Sequence, residues 1–156
     1  MPFQAGDPAP DFTLPVTGGG TKRLSDYDGR NLVLFLYPRD DTSGCTREAR
    51  EFSAAQADFG HCRTDILGLS KDSIASHEKF IAKHDLTVPL ASDAETDLCE
   101  RIGAWIEKSM YGRKFWGIQR TTLLIDSTQK ISRRWDKVKV DGHVAEVLQS
   151  VRAMEE

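Results

Sequence analysis

Cysteine is scarce in this chain of 156 residues, which has three (Cys45, Cys62 and Cys99) and no C-x-x-C pair. An odd number of widely spaced cysteines is typical of reduced thiols rather than of a disulfide framework. The missing C-x-x-C also argues against a disulfide oxidoreductase, and the four histidines complete no zinc-ligand pattern with the cysteines. We therefore expect no metal site and no cofactor.

Positive charge is not in excess, and long apolar runs are missing. Lysine and arginine number 21 against 24 aspartates and glutamates, for a formal net charge of -3, so the chain offers nucleic acid no general basic surface. No apolar run approaches the roughly 18 residues of a membrane span, and the segment MPFQAGDPAPDF lacks the basic and apolar regions of a secretory signal. We expect a cytoplasmic protein that binds neither nucleic acid nor membranes.

The order of the hydrophobic patterns predicts the fold class. After a weak N-terminal hairpin pattern within residues 1–30, apolar runs of strand length alternate with segments of helical three- and four-residue spacing. We predict strands at 31–37, 65–70, 87–91, 121–126 and 130–135, and helices at 45–59, 73–84, 93–102 and 143–154. This order indicates one domain, residues 1–156, of the α/β class, with a mixed central sheet flanked by helices.

Residues 103–120 fit none of these patterns. This segment carries five large apolar side chains: Trp105, Met110, Tyr111, Phe115 and Trp116. A long connection inside a compact domain is more often functional than idle. Its side chains either cover an edge of the sheet or line a pocket, and the sequence favours neither interpretation.

The stretch YPRDDTSGCTREAREF, residues 37–52, places Cys45 where a strand gives way to a helix. If the helix begins between Thr42 and Gly44, unpaired N–H groups and the helix dipole favour the thiolate, which is the nucleophilic form of cysteine. The alternative is a small apolar residue at a helix start. Thr42 can cap the helix, contact a substrate, or do both. Pro38 ends the strand, and Arg120 would bring a fixed positive charge to the thiol if strands 31–37 and 121–126 are neighbours.

That stretch, with GDPAPDFTL before it and SMYGRKFWGIQRTTLLID after it, resembles the peroxiredoxins of the bacterioferritin comigratory protein type, or Q subfamily, over nearly the whole chain. The resemblance implies a thioredoxin-like fold with an N-terminal hairpin, usually monomeric, and a thiol peroxidase whose peroxidatic cysteine is Cys45. Pro38, Thr42 and Arg120 match the family's other active-site positions, and Glu48 matches one that helps to orient the arginine. The implied substrates are hydrogen peroxide and organic hydroperoxides, which oxidise the cysteine to a sulfenic acid.

The chain departs from the family at the resolving cysteine. The two known resolving positions hold Arg50 and the Phe80-Ile81 pair here. Cys99, or with less support Cys62, remains a possible resolver. The favoured interpretation is a one-cysteine cycle in which an external thiol, namely thioredoxin, glutaredoxin or glutathione, attacks the sulfenic acid. The alternative is a redox-sensing or partner-binding module without efficient peroxidase turnover.

Overall fold

The computed structural model describes residues 3–154. In chain order its elements are β1 (Thr13–Pro15), β2 (Thr21–Arg23), a short 3-10 helix (Leu24–Tyr27), β3 (Asn31–Leu36), α1 (Ser43–His61), β4 (Thr64–Ser70), α2 (Ile74–His84), β5 (Leu90–Ser92), α3 (Leu98–Ile102), β6 (Trp105–Met110), β7 (Arg113–Ile118), β8 (Thr121–Ile125), β9 (Ile131–Trp135) and α4 (His143–Met154). Five of the strands form a sheet of order β5-β4-β3-β8-β9. The predicted mixed sheet and N-terminal hairpin, β1–β2, are confirmed.

β3 lies at the centre of the sheet, and all six of its residues are buried. It pairs in parallel with β4 and antiparallel with β8. Successive side chains of a strand point to opposite faces, so β3 contributes leucines to one core and Val33 and Phe35 to the other. Helices α1, α2 and α4 pack on the Phe35 face, whereas the N-terminal segment and α3 pack on the leucine face.

The helix predicted at 93–102 begins later, at Leu98. The buried carboxylate of Asp93 accepts hydrogen bonds from the backbone N–H groups of Leu98 and Cys99, at 3.0 and 2.8 Å, and one from the Thr96 hydroxyl. The first N–H groups of a helix have no partner within the helix, and here the Asp93 carboxylate accepts hydrogen bonds from two of them. These bonds hold residues 94–97 in a turn, so the helix begins after them.

Residues 103–120, which fit no pattern in the sequence, form a regular antiparallel hairpin of β6 and β7. Its two-residue turn, Tyr111-Gly112, has φ values of 52° and 78°, and positive values at both positions define the tight hairpin turn. The exposed large side chains are Met110, Tyr111, Phe115 and Trp116, and Trp105 packs against the leucine core. The hairpin projects exposed side chains from both faces, so it lacks the alternation that marks a half-buried strand.

No helix within residues 3–154 is both long enough and apolar enough to cross a membrane.

Candidate active site

Strand pairing brings the two ends of the candidate site together. β3 and β8 are antiparallel neighbours, with Leu36 opposite Thr121. The residue before β8, Arg120, therefore lies beside the loop that follows β3 and leads into α1. The sequence predicted contact between Arg120 and Cys45 on the condition that strands 31–37 and 121–126 are neighbours, and β3 and β8 are neighbours.

Cys45 lies in the first turn of α1, a helix of 19 residues, with its side chain turned into the protein and 1% of its surface exposed. Arg120 Nη2 donates to Cys45 Sγ at 3.4 Å. A Cβ atom at Gly44 would lie 3.3 Å from the same Nη2, so the glycine leaves room for the guanidinium. The thiol thus has a fixed cation on one side and a helix N-terminus beneath it, and both favour a negative charge on sulfur.

Glu48 lies one turn after Cys45 on the same inward face of α1. Its side chain is fully buried, and its Oε1 accepts a hydrogen bond of 2.6 Å from Arg120 Nη1. Burial raises the pKa of Glu48 to about 7, although the charge and hydrogen bond of Arg120 oppose this rise. Burial alone would lower the pKa of Arg120, but the charges of Glu48 and Cys45 outweigh it and raise that pKa. The guanidinium is therefore charged and is held by two partners.

Pro38 and Thr42 frame the loop between β3 and α1. Pro38 is half-buried, whereas Thr42 is exposed and occupies the N-cap position. The Thr42 carbonyl accepts the first helical bond, from the Thr46 N–H at 2.8 Å. Its hydroxyl donates to the Arg39 carbonyl at 3.0 Å and does not cap the helix. The oxygen of that hydroxyl can still accept a hydrogen bond from a bound ligand.

The other two thiols are not brought near Cys45. Cys62 follows it by 17 residues, at the far end of α1, and a helix rises about 1.5 Å per residue, or about 25 Å over that length. Cys99 is buried in the leucine core, and Cys45 in the core on the other face of the sheet. Burial, helped by the charge of Asp93, raises the pKa of Cys99 far above its ordinary value. A bridge to either thiol needs α-carbons within about 7 Å and therefore a large rearrangement.

Lys108 is a charged neighbour that the sequence did not reveal. Its stem lies against Gly117 on the opposite strand, where an added Cβ would be 3.5 Å from Cδ and 3.6 Å from Cε. Burial and the charge of Arg120 lower the pKa of Lys108, and the charge of Cys45 opposes this change. The site therefore has a second cation within electrostatic reach, supplied by a hairpin that was not predicted.

A groove runs along the other side of α1. Its volume is about 370 Å³, and its lining residues are Ser43, Thr46, Arg47, Arg50, Glu51 and Ala54. Arg50, which stands at one of the resolving positions, is exposed there. Because Cys45 and Glu48 face inward, this groove is separate from the thiol.

The arginine-contacted thiol at the start of a helix, packed on a mixed sheet, defines a thiol-based redox enzyme. The chain belongs to the AhpC/TSA family, whose model matches residues 5–134. It is 42% identical to peroxiredoxin Bcp of Bacillus subtilis over 156 residues, covering 100% of this chain and 99% of the relative.

Solved structures agree with this assignment. A cysteine-to-serine mutant of Xylella fastidiosa PrxQ superposes with a TM-score of 0.95 at 38% identity, covering 100% of this chain and 99% of that one. The bacterioferritin comigratory protein of Xanthomonas campestris, described for its alkyl peroxide reduction activity, gives a TM-score of 0.88 at 37% identity, with 93% and 92% covered. The thioredoxin-like fold and the resemblance to the Q subfamily are confirmed, and the chain is a peroxiredoxin, that is, a thiol-dependent peroxidase.

Proposed function

We propose that Cys45 is the peroxidatic cysteine and that the chain reduces hydrogen peroxide and organic hydroperoxides in a one-cysteine cycle completed by an external thiol. The observation that carries this proposal is the 3.4 Å contact between Arg120 and Cys45 Sγ in the first turn of a long helix. A thiolate in that position is stabilised without any group having to move.

The chemistry begins when the Cys45 thiolate attacks the hydroxyl oxygen of a hydroperoxide. The oxygen–oxygen bond breaks, the sulfur becomes a sulfenic acid, and the other oxygen leaves as alkoxide or hydroxide and takes a proton from solvent. Arg120 stabilises the charge that develops on the leaving oxygen, and the Thr42 hydroxyl orients the peroxide. Glu48 holds the guanidinium in place through its 2.6 Å bond.

An external thiol completes the cycle. It attacks the sulfenic sulfur, water leaves, and a mixed disulfide forms, which a second thiol then reduces to regenerate Cys45. The positions of Cys62 and Cys99, one at the far end of α1 and one across the sheet, support an outside reductant. Thioredoxin, glutaredoxin and glutathione are the reductants to compare.

Intact mass after one equivalent of hydrogen peroxide, with and without a sulfenate trap, tests the proposal. We expect a trapped adduct on Cys45 and no disulfide within the chain. A Cys45→Ser variant should lose peroxidase activity, whereas a Cys62→Ser/Cys99→Ser variant should keep full turnover with the best external thiol. A disulfide joining Cys45 to Cys99 or Cys62 would refute the one-cysteine cycle. Oxidation of Cys45 without turnover by any of the three reductants would favour the redox-sensing alternative.

A further inference from the structure

The loop that leads into α1 contains a buried carboxylate for which the proposed mechanism has no use. Asp40 is only 8% exposed. Its Oδ1 accepts a hydrogen bond of 2.6 Å from the Tyr37 hydroxyl, and its Oδ2 accepts bonds of 2.7 Å from both His77 Nδ1 and the Ser76 hydroxyl. Burial alone would raise the pKa of Asp40, but the hydrogen bonds from His77 and Tyr37 outweigh it and lower that pKa. Asp40 is therefore an anion inside the protein.

His77 is the counterpart of Asp40 in α2. Its side chain is fully buried, and its second ring nitrogen, Nε2, lies 2.9 Å from the carbonyl oxygen of Ala91. A carbonyl and a carboxylate only accept hydrogen bonds, so both are satisfied when both ring nitrogens of His77 carry hydrogen. Asp40 and His77 therefore form a buried, hydrogen-bonded pair that joins the loop to α2 and, through Ala91, to β5.

The same cluster resembles a set of metal ligands, because atoms of Asp40, Asp72 and His77 lie within 4.8 Å of one another. Each of these atoms already has protein partners, however. Asp72 Oδ2 accepts hydrogen bonds from the Asp40 N–H at 2.9 Å and the Ser70 hydroxyl at 2.6 Å. These hydrogen bonds explain why the three side chains lie together. The role of the cluster therefore lies in the loop between β3 and α1 that it holds in place.

A buried polar pair of this kind is weak evidence for stability, since well-packed apolar residues often stabilise a fold equally well. In some proteins such a pair instead fixes one geometry, because each partner accepts few other arrangements. Here the pair fixes a loop two residues before Thr42. The next residue, Asp41, has φ 62° and is bonded at 2.7 Å to both Lys83 and His84. The Asp41 side chain is 43% exposed, so the buried attachment of the loop to α2 is the one made by Asp40.

We propose that the Asp40–His77 pair is a positioning device for peroxide reduction, holding residues 38–42 so that the Thr42 hydroxyl and the first turn of α1 face the incoming peroxide. This inference rests on the proposed roles of Thr42 and Cys45. Neither Asp40 nor His77 touches the substrate, so their effect passes through the loop. Weakening the pair should slow the reaction of Cys45 with peroxide, because that reaction needs the loop in position. It should slow alkylation of Cys45 less, because alkylation does not use the Thr42 hydroxyl.

The test compares two rates at Cys45: reaction with hydrogen peroxide and alkylation by iodoacetamide, followed by the mass of the Cys45 peptide. Asp40→Asn keeps the shape of the side chain and removes its charge. Because misplacing a catalytic group by about 1 Å can cost about 100-fold in rate, we expect the peroxide rate to fall about 10- to 100-fold and the alkylation rate to change less than about threefold. His77→Gln should behave alike, and the double variant should be no worse than either single variant.

Asp41→Asn is the matched control, because asparagine tolerates the left-handed backbone and the side chain of Asp41 is 43% exposed. Exposed ion pairs contribute little, so this variant should keep both rates close to wild type. If Asp40→Asn does not fold, Ser76→Ala removes one donor to the pair, and the ratio of peroxide rate to alkylation rate should still fall. Equal losses in both rates, or an unchanged ratio, would overturn the positioning role. Peroxidase activity in a Cys45→Ser variant would instead refute the proposed function itself.

Discussion

Glu48 gives the fold a pH dependence that can be measured separately from catalysis. Burial raises the pKa of this carboxyl from its ordinary 4.5 to about 7. Between these two values the folded protein binds a proton that the unfolded chain has already released. The free energy of unfolding therefore falls as the pH rises through this window, and the stability that neutral Glu48 permits is lost above it.

The magnitude follows from the two pKa values. A difference of one pKa unit between the folded and unfolded states is worth about 1.4 kcal/mol, so Glu48 contributes a fall of about 3 kcal/mol. A Glu48→Gln variant carries no titrating proton at this position. Its stability relative to wild type should therefore rise by about 3 kcal/mol between about pH 4 and about pH 8.

His143 contributes in the opposite direction. Burial lowers the pKa of this histidine from 6.5 to about 4, so the unfolded chain binds a proton that the folded protein excludes. The free energy of unfolding then rises with pH through that window, by at most about 3 kcal/mol and by less where water screens the ring. In wild type the fall from Glu48 and the rise from His143 partly cancel. The Glu48→Gln variant lacks the fall, so its free energy of unfolding should rise with pH.

Urea unfolding of the reduced protein at half-unit pH steps gives the two curves. Asp97→Asn is the control, because the Asp97 side chain is 70% exposed and its partner Arg101 lies at the surface. Its curve should stay parallel to that of wild type within about 0.5 kcal/mol, as expected for a surface pair. If Glu48→Gln is also parallel, the carboxyl is already ionised at low pH in the folded protein, and the assignment of a raised pKa is wrong.

Three further perturbations act on the same site. Arg120→Lys loses the planar fork that contacts both Cys45 and Glu48, so the rate with peroxide should fall about 100-fold or more in stopped-flow assays. An unchanged rate would remove Arg120 from the mechanism. Gly44→Ala puts a Cβ 3.3 Å from Arg120 Nη2, and we expect a smaller fall of about 10-fold from the displaced guanidinium, with an unchanged melting temperature. Lys108→Met should slow the peroxide reaction at low salt and not at about 1 M salt, where charges are screened; an equal slowing at both salt concentrations would exclude an electrostatic role. Lys114→Met, on the exposed part of the same hairpin, is its control.

The sequence predicted most of the fold because its strong patterns are local. A continuous apolar run marks the buried strand NLVLFL. Apolar residues at three- and four-residue spacing mark the helix from Ser43 to His61. At the start of α2, the hydroxyl oxygen of Ser73 accepts a hydrogen bond from the Ser76 N–H at 3.1 Å, which is a local cap. The hairpin of β6 and β7 was missed because most of its side chains are exposed on both faces. No alternation remained to be detected, and Tyr-Gly is a weaker turn signal than Asn-Gly.

Part of the site could be predicted from the sequence because some of its residues lie close together in the chain. Cys45, Thr42 and Gly44 share one turn, and their meaning can be derived from helix physics, whereas the place of Arg120 depended on which strands are neighbours. Asp40 and Asp41 show where local reasoning stops. They are adjacent and chemically identical, yet one is buried against His77 and the other is exposed beside Lys83 and His84.

Their partners lie 37 to 43 residues away in the chain. The two aspartates also differ in backbone conformation, because Asp41 takes φ 62°, in the left-handed region. A composition-based reading treats both as solvated charges, as it does Glu48. In each case the decisive quantity is the free energy of moving a charge out of water, which depends on neighbours that only the folded chain supplies. The residues that hold a reactive thiol in position are therefore harder to predict than the thiol itself, because their effect depends on tertiary contacts that a local pattern does not contain.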